Sequence, residues 1–169
     1  NRKDWVTPEN TELSGKGTYY YNQGKLVKIQ VFRVLNASKT FTTYDYEENG
    51  RIGMKTYYNN DLPCHFIEYT YDENGNLILE THKYLVDGTA TIHITKEYEF
   101  DDEKNPYKAF KRLLLPGENK NENNILKTTI TLFFDTPGVD KVQVTESTYE
   151  YNLQGYPVKK NNLIRYEYR

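Results

Sequence analysis

The chain has 169 residues, a formal charge of −2, 37% hydrophobic residues and an unusual 17 tyrosines. That length suits one domain whose core needs no disulfide or metal staple. Charges of both signs are mixed without a Lys/Arg cluster, which disfavours a nucleic-acid footprint. The single cysteine, Cys64, excludes an intramolecular disulfide and a multi-cysteine zinc site.

Residues 1–16 are polar, contain Pro8 and Gly15, and show no sustained period. They read as a lead-in coil, with Trp5 pinned to the body. From Gly17 onward apolar and polar residues alternate with a period of two, the signature of half-buried strands. Expected strands are 17–22, 25–34, 39–47, 51–58, 65–72, 76–86, 89–100, 127–135, 140–151 and 156–168. Tyrosine suits such strands because its ring packs while its hydroxyl stays at water.

The turns are written in a recurring phrase. In "YTYDENGNL", from Tyr69, Glu73-Asn74 suits a type I turn and Gly75 the left-handed position of the bulge that follows. Asp72 is then expected opposite Asn76. The phrase returns around Asn49-Gly50 and Gln154-Gly155, and more loosely in "YYYNQGKLVKI" from Tyr19. Asp87-Gly88 is a type I′ signal that sets Val86 opposite Thr89. Continued without a break, the two registers put Ile67, Tyr69, Tyr71, Leu77, Leu79, Leu85, Ala90, Ile92, Ile94, Tyr98 and Phe100 on one apolar face. Between 106 and 126 the alternation fails. "YKAFKRLLL" reads as one or two helical turns or a covering strand, and "PGENKNENN" as a polar loop.

The expected fold is therefore all-β: an antiparallel meander of about ten strands, twisted into an open barrel or half-barrel. One irregular or short helical insertion interrupts it near 106–126. After the lead-in, residues 17–169 read as a single β-meander domain.

Chemistry is harder to place. No nucleophile elbow is present, and Cys64 and His65, adjacent on a strand, are expected to point to opposite faces. Asp72–Gly75 and Asp101–Glu103 have a calcium-loop composition without the required ligand offsets. Catalytic residues are not assigned, and no cofactor motif is present. Continuing the Asp87-Gly88 register sets His82 opposite His93, with Glu80 and Glu97 one step along the same face. Two imidazoles and a carboxylate are a ligand set for zinc or iron, so His82, His93 and Glu80 are the candidate metal residues. Exposed Tyr20, Tyr57, Tyr58 and Tyr84 are the candidate ligand-binding residues, because Tyr stacks on sugars and anchors protein interfaces.

The Y-x-Y-[DE]-x-N-G-x-[IL] phrase resembles the tyrosine–aspartate repeats of secreted bacterial proteins. "YEFDDEKNPY" and "YEYNLQGYP" resemble uncharacterised domains of Bacteroidetes cell-envelope lipoproteins. The resemblance implies export, attachment to a membrane only through a lipid anchor upstream of Asn1, and extended antiparallel sheet. It supplies no catalytic residue. The functional expectation is a non-enzymatic envelope domain that binds a glycan or protein partner on an aromatic-rich sheet surface. A structural module without a small ligand is the alternative, and a hydrolase a further one.

Overall fold

A computed structural model describes residues 2–7, 10–34, 37–110, 115, 121–134 and 138–168. Ten strands follow one another in sheet order without a crossover: β1 (Arg2–Thr7), β2 (Asn10–Asn22), β3 (Lys25–Arg33), β4 (Ser38–Tyr46), β5 (Ile52–Asn59), β6 (Leu62–Tyr71), β7 (Leu77–Val86), β8 (Thr89–Lys104), β9 (Asn123–Leu132) and β10 (Lys141–Glu146). A second, three-stranded sheet comprises β11 (Tyr149–Tyr151), β12 (Pro157–Lys160) and β13 (Ile164–Arg165). The fold is an all-β antiparallel meander, interrupted among the described residues by a 3-10 turn at Pro106–Phe110. Asn105 starts that turn, its side-chain oxygen accepting from the Tyr107 N–H at 3.0 Å. Among the described residues no helix is long and apolar enough to cross a membrane. The polar loop expected at 116–124 lies mostly outside the described residues.

Turn chemistry explains why the strands start and stop where they do. Gly50, Gly75 and Gly155 sit at φ of +83°, +98° and +77°. Each closes the same loop. The Gly75 N–H bonds the Asp72 carbonyl at 3.2 Å, and the Asp72 N–H bonds the Asn76 carbonyl at 2.9 Å. Asp87 and Gly88 both have positive φ, as a type I′ turn requires. Asn60 and Asp61 do too, a two-residue turn that lengthens β5 and β6 beyond their expected ends. Pro63 has no N–H for the ladder, and the β5/β6 register shifts beside it, between Tyr57 and Tyr58.

The first sixteen residues are a correction. They carry β1 and the start of β2, paired from Arg2↔Thr18 to Thr7↔Asn10 through two register shifts. Irregular pairing hides a period-two pattern. The expected anchoring of the Trp5 side chain lies outside what is described.

Where one domain was expected over 17–169, the chain divides into two compact units, 1–68 with 83–91, and 69–82 with 92–169. In the first, Leu26, Tyr44, Ile52, Ile67 and Thr56 are buried. In the second, Tyr69 and Leu77 are buried beside His82 and four asparagines, Asn76, Asn105, Asn121 and Asn124. Asn76 is 1% exposed and its side chain joins two segments. It donates to Asp72 and Asn123, both at 3.0 Å, and accepts from the N–H groups of Glu122 at 2.9 Å and Asn123 at 3.0 Å. Asn121 accepts from the Leu77 N–H at 2.7 Å, and its carbonyl accepts from Asn105. This network fixes the start of β9 against the 72–77 turn.

The apolar face is a second correction. Ile67, Tyr69 and Leu77 are buried as expected, but Ala90 and Ile92 are exposed, Ile92 at 42%. An unbroken register from Asp87-Gly88 sets Glu80 opposite Thr95, sharing a side with Glu97. Glu80 instead bonds Tyr98 and Lys96, positions of the other parity. One residue of slip exchanges the faces of the slipped strand, which is why Glu80 and His82 turn inward.

Candidate functional site

The candidate tyrosines fall into two ring groups in the first unit. Strand pairing sets Tyr57 of β5 opposite His65 of β6. The His65 ring lies between Tyr57, at 5.0 Å and 11°, and Tyr84, at 4.3 Å and 5°. Three parallel rings from β5, β6 and β7 thus form one stack. The Lys55 ammonium sits 5.0 Å from the Tyr57 centroid. Tyr84, the end ring, is 40% exposed.

Tyr58 points to the other side of the sheet, where it stacks on Phe41 at 4.3 Å and 13°. Lys28 of β3 stands 3.9 Å from the Phe41 centroid and 5.6 Å from that of Tyr20, which is 42% exposed. The four candidate tyrosines are therefore two pairs: Tyr57 with Tyr84 through His65, and Tyr20 with Tyr58 through Lys28 and Phe41. The alternation of Tyr57 and Tyr58 along one strand dictates the split. The Cys64 thiol donates to the Tyr57 carbonyl at 3.4 Å.

The candidate metal residues meet only in part. In the second unit Glu80 and His82 approach to 3.1 Å, with side-chain exposures of 12% and 11%. Tyr98 donates to Glu80 at 2.7 Å, and Lys96 reaches it at 3.4 Å. Among the described residues no three His, Cys, Asp or Glu side chains are grouped to hold a metal ion. His82, His93 and Glu80 do not form the expected ligand set. The slipped register gives Glu80 hydrogen-bond donors as neighbours instead.

Charge follows the geometry of this cluster. Burial raises the Glu80 carboxyl, but hydrogen bonds from His82 and Tyr98 and the Lys96 charge outweigh it, so the group ends below its ordinary 4.5. Burial, then the bond to Glu80, pushes the Tyr98 phenol far above its ordinary range. At neutral pH Glu80 is therefore a carboxylate held by hydrogen-bond donors.

Concave surface lies elsewhere in the second unit. A cleft of about 110 Å³ is walled by Tyr107, Tyr149, Tyr166, Lys160, Asn105 and Asn124, with Ile125 and Ile164. A second, of about 170 Å³, is formed by Thr148, Tyr149, Glu150, Lys159, Asn161 and Asn162. Tyr149 walls both. Its hydroxyl donates to the Ile125 carbonyl at 3.3 Å, and Lys160 lies 5.4 Å from its ring centroid. Burial, then the neighbouring Tyr107, pushes the Tyr166 phenol up to about 12, so it remains protonated near neutrality. Sequence reasoning missed these residues because they come from separate elements. The usable signal was local: Tyr149 and Tyr151 belong to the repeated turn phrase, and Asn161-Asn162 both favour positive φ, observed at +51° and +58°.

No protein-family model matches the sequence, and no curated protein matches it.

Proposed function

We propose that this chain is a non-enzymatic binding module of a bacterial cell envelope, taking a glycan on aromatic side chains of its sheet. The observation that carries the reading is the Tyr57–His65–Tyr84 stack, which holds its rings in place before any ligand arrives. Rings that are already ordered lose little entropy on binding, and aromatic faces beside polar groups are the chemistry that sugars use. The envelope assignment is supported by the likeness of the tyrosine-turn phrases to secreted and lipoprotein domains. Localisation is checked by fractionating cells expressing the full gene, where a cytosolic product contradicts it. The binding claim is tested by screening the chain against a panel of bacterial and plant glycans. Binding that Tyr84→Ala weakens at least tenfold supports it, and binding indifferent to that change opposes it.

A second reading, a protein partner, is favoured by β10. All six of its residues are exposed, with Val142 at 62% and Val144 at 51%, and it is the last strand in the sheet order. Such an edge accepts an added strand. Val144→Pro should abolish strand addition and leave glycan binding intact, so the two variants separate the readings.

A further inference from the structure

We propose that the paired clefts on either side of Tyr149 form a binding site for an acidic glycan, with Lys160 receiving the carboxylate of a uronic-acid-type sugar. The inference shares its ligand class with the glycan reading and rests on it there, but none of its residues belongs to the Tyr57–His65–Tyr84 stack.

The first cleft has no acidic residue in its wall. Its one charge is Lys160, which lies over the Tyr149 ring and, among the described residues, meets no carboxylate. Lys159 differs, since Glu150 takes it at 3.0 Å. An ammonium at a partly enclosed wall, away from its own counter-ion, favours an anionic group. The rest of the wall matches a sugar ring. Tyr107 and Tyr166 meet edge to face at 6.4 Å between centroids. Their hydroxyls hydrogen-bond to each other, and the rings present aromatic surface to the sugar's C–H groups.

The wall is also built before a ligand arrives. Asn105 and Asn124 are 6% and 4% exposed. The Asn105 side chain is held by the Asn121 carbonyl and the Tyr107 N–H, and that of Asn124 by the Lys104 carbonyl and Asp101. Side chains fixed this way offer a preset surface. The first cleft, of about 110 Å³, takes the carboxylate edge of one sugar. The second, sharing Tyr149 and offering Thr148, Asn161 and Asn162, continues the path for a neighbouring unit. A chain of at least two sugars fits this layout better than a free monosaccharide.

The test uses the full chain and calorimetric titration with tetramers of galacturonic, glucuronic and mannuronic acid, neutral galactotetraose, and acetate. At least one acidic tetramer should bind ten times or more tightly than galactotetraose, and its binding should weaken as salt rises. Lys160→Gln should remove that preference, and Tyr149→Ala should weaken binding of the same tetramer. Tyr84→Ala should leave it unchanged. Melting temperatures of the variants identify any that are merely unfolded, and chemical-shift changes at Lys160 on titrating the wild-type chain give a readout free of substitution. The proposal is overturned if no acidic tetramer binds, if Lys160→Gln keeps the preference, or if acetate competes at the tetramer's own concentration. Neutral binding that depends on Tyr84, with no acidic binding, would overturn this inference and leave the sheet-face reading standing.

Discussion

Glu80→Gln keeps the shape of a buried side chain and removes its charge, so it isolates what the carboxylate holds. Gln retains one acceptor for Tyr98, but its amide presents donors where His82 and Lys96 already donate. A hydrogen bond to an ionised group contributes about 1.5–3 kcal/mol, against about 0.5–1.5 for a neutral pair. The Tyr98 bond at 2.7 Å therefore loses about 1 kcal/mol, and the His82 contact at 3.1 Å about another. Lys96, at 3.4 Å and 32% exposed, adds little. The expected loss is about 2 kcal/mol near pH 7, read by urea denaturation at constant slope. The folded carboxyl titrates below its unfolded value of 4.5, so its stabilising effect is full above that pH and fades as pH falls through the folded value. The gap between wild type and Glu80→Gln should therefore shrink in acid. A loss under about 0.5 kcal/mol, or a gap that widens on acidification, would refute the description of the cluster.

Gly75→Val places a branched side chain at φ +98° and should cost about 1 kcal/mol or more, measured as a lower denaturation midpoint; an unchanged midpoint would contradict the turn. Asn76→Ala removes four side-chain hydrogen bonds at a site 1% exposed, leaving the Glu122 and Asn123 N–H groups without that acceptor. It should cost about 3 kcal/mol and speed amide exchange at 121–124; exchange that stays slow there would oppose the network. Ile67→Asp buries a charge at a site 6% exposed and should unfold the first unit, while Ile92→Asp, at 42% exposure, should cost under about 1 kcal/mol. The reverse order in denaturation would contradict this placement of Ile67 and Ile92.

The sequence made the hairpins legible because their information is local. Asn-Gly and Asp-Gly set positive φ at the turn itself, so Gly50, Gly75, Gly88 and Gly155 could be placed without knowing any partner. Register over a long strand is different, since it accumulates every slip between the turn and the residue in question. The expectation that followed Asp87-Gly88 put Ile92 in the core and gave Glu80 the wrong neighbours. Composition hinted at this only weakly, because Glu80 and His82 look like a solvated strand face until Tyr98 and Lys96 are seen to meet Glu80. Asn76 was hidden for a related reason. An asparagine after a turn glycine reads as surface, and its burial depends on Asn121–Asn124, some 45 residues away. The aromatic candidates were found by residue type, but their split into two groups follows from strand parity.

The central claim is that a glycan occupies the aromatic sheet surface, and nuclear magnetic resonance of the full chain tests it most directly. Titration with a glycan from the binding screen should shift the ring signals of Tyr57, His65 and Tyr84 together, because one ligand touches one stack, and Tyr84→Ala should abolish those shifts while the fold persists. A glycan that binds without moving any of these three signals would contradict the account.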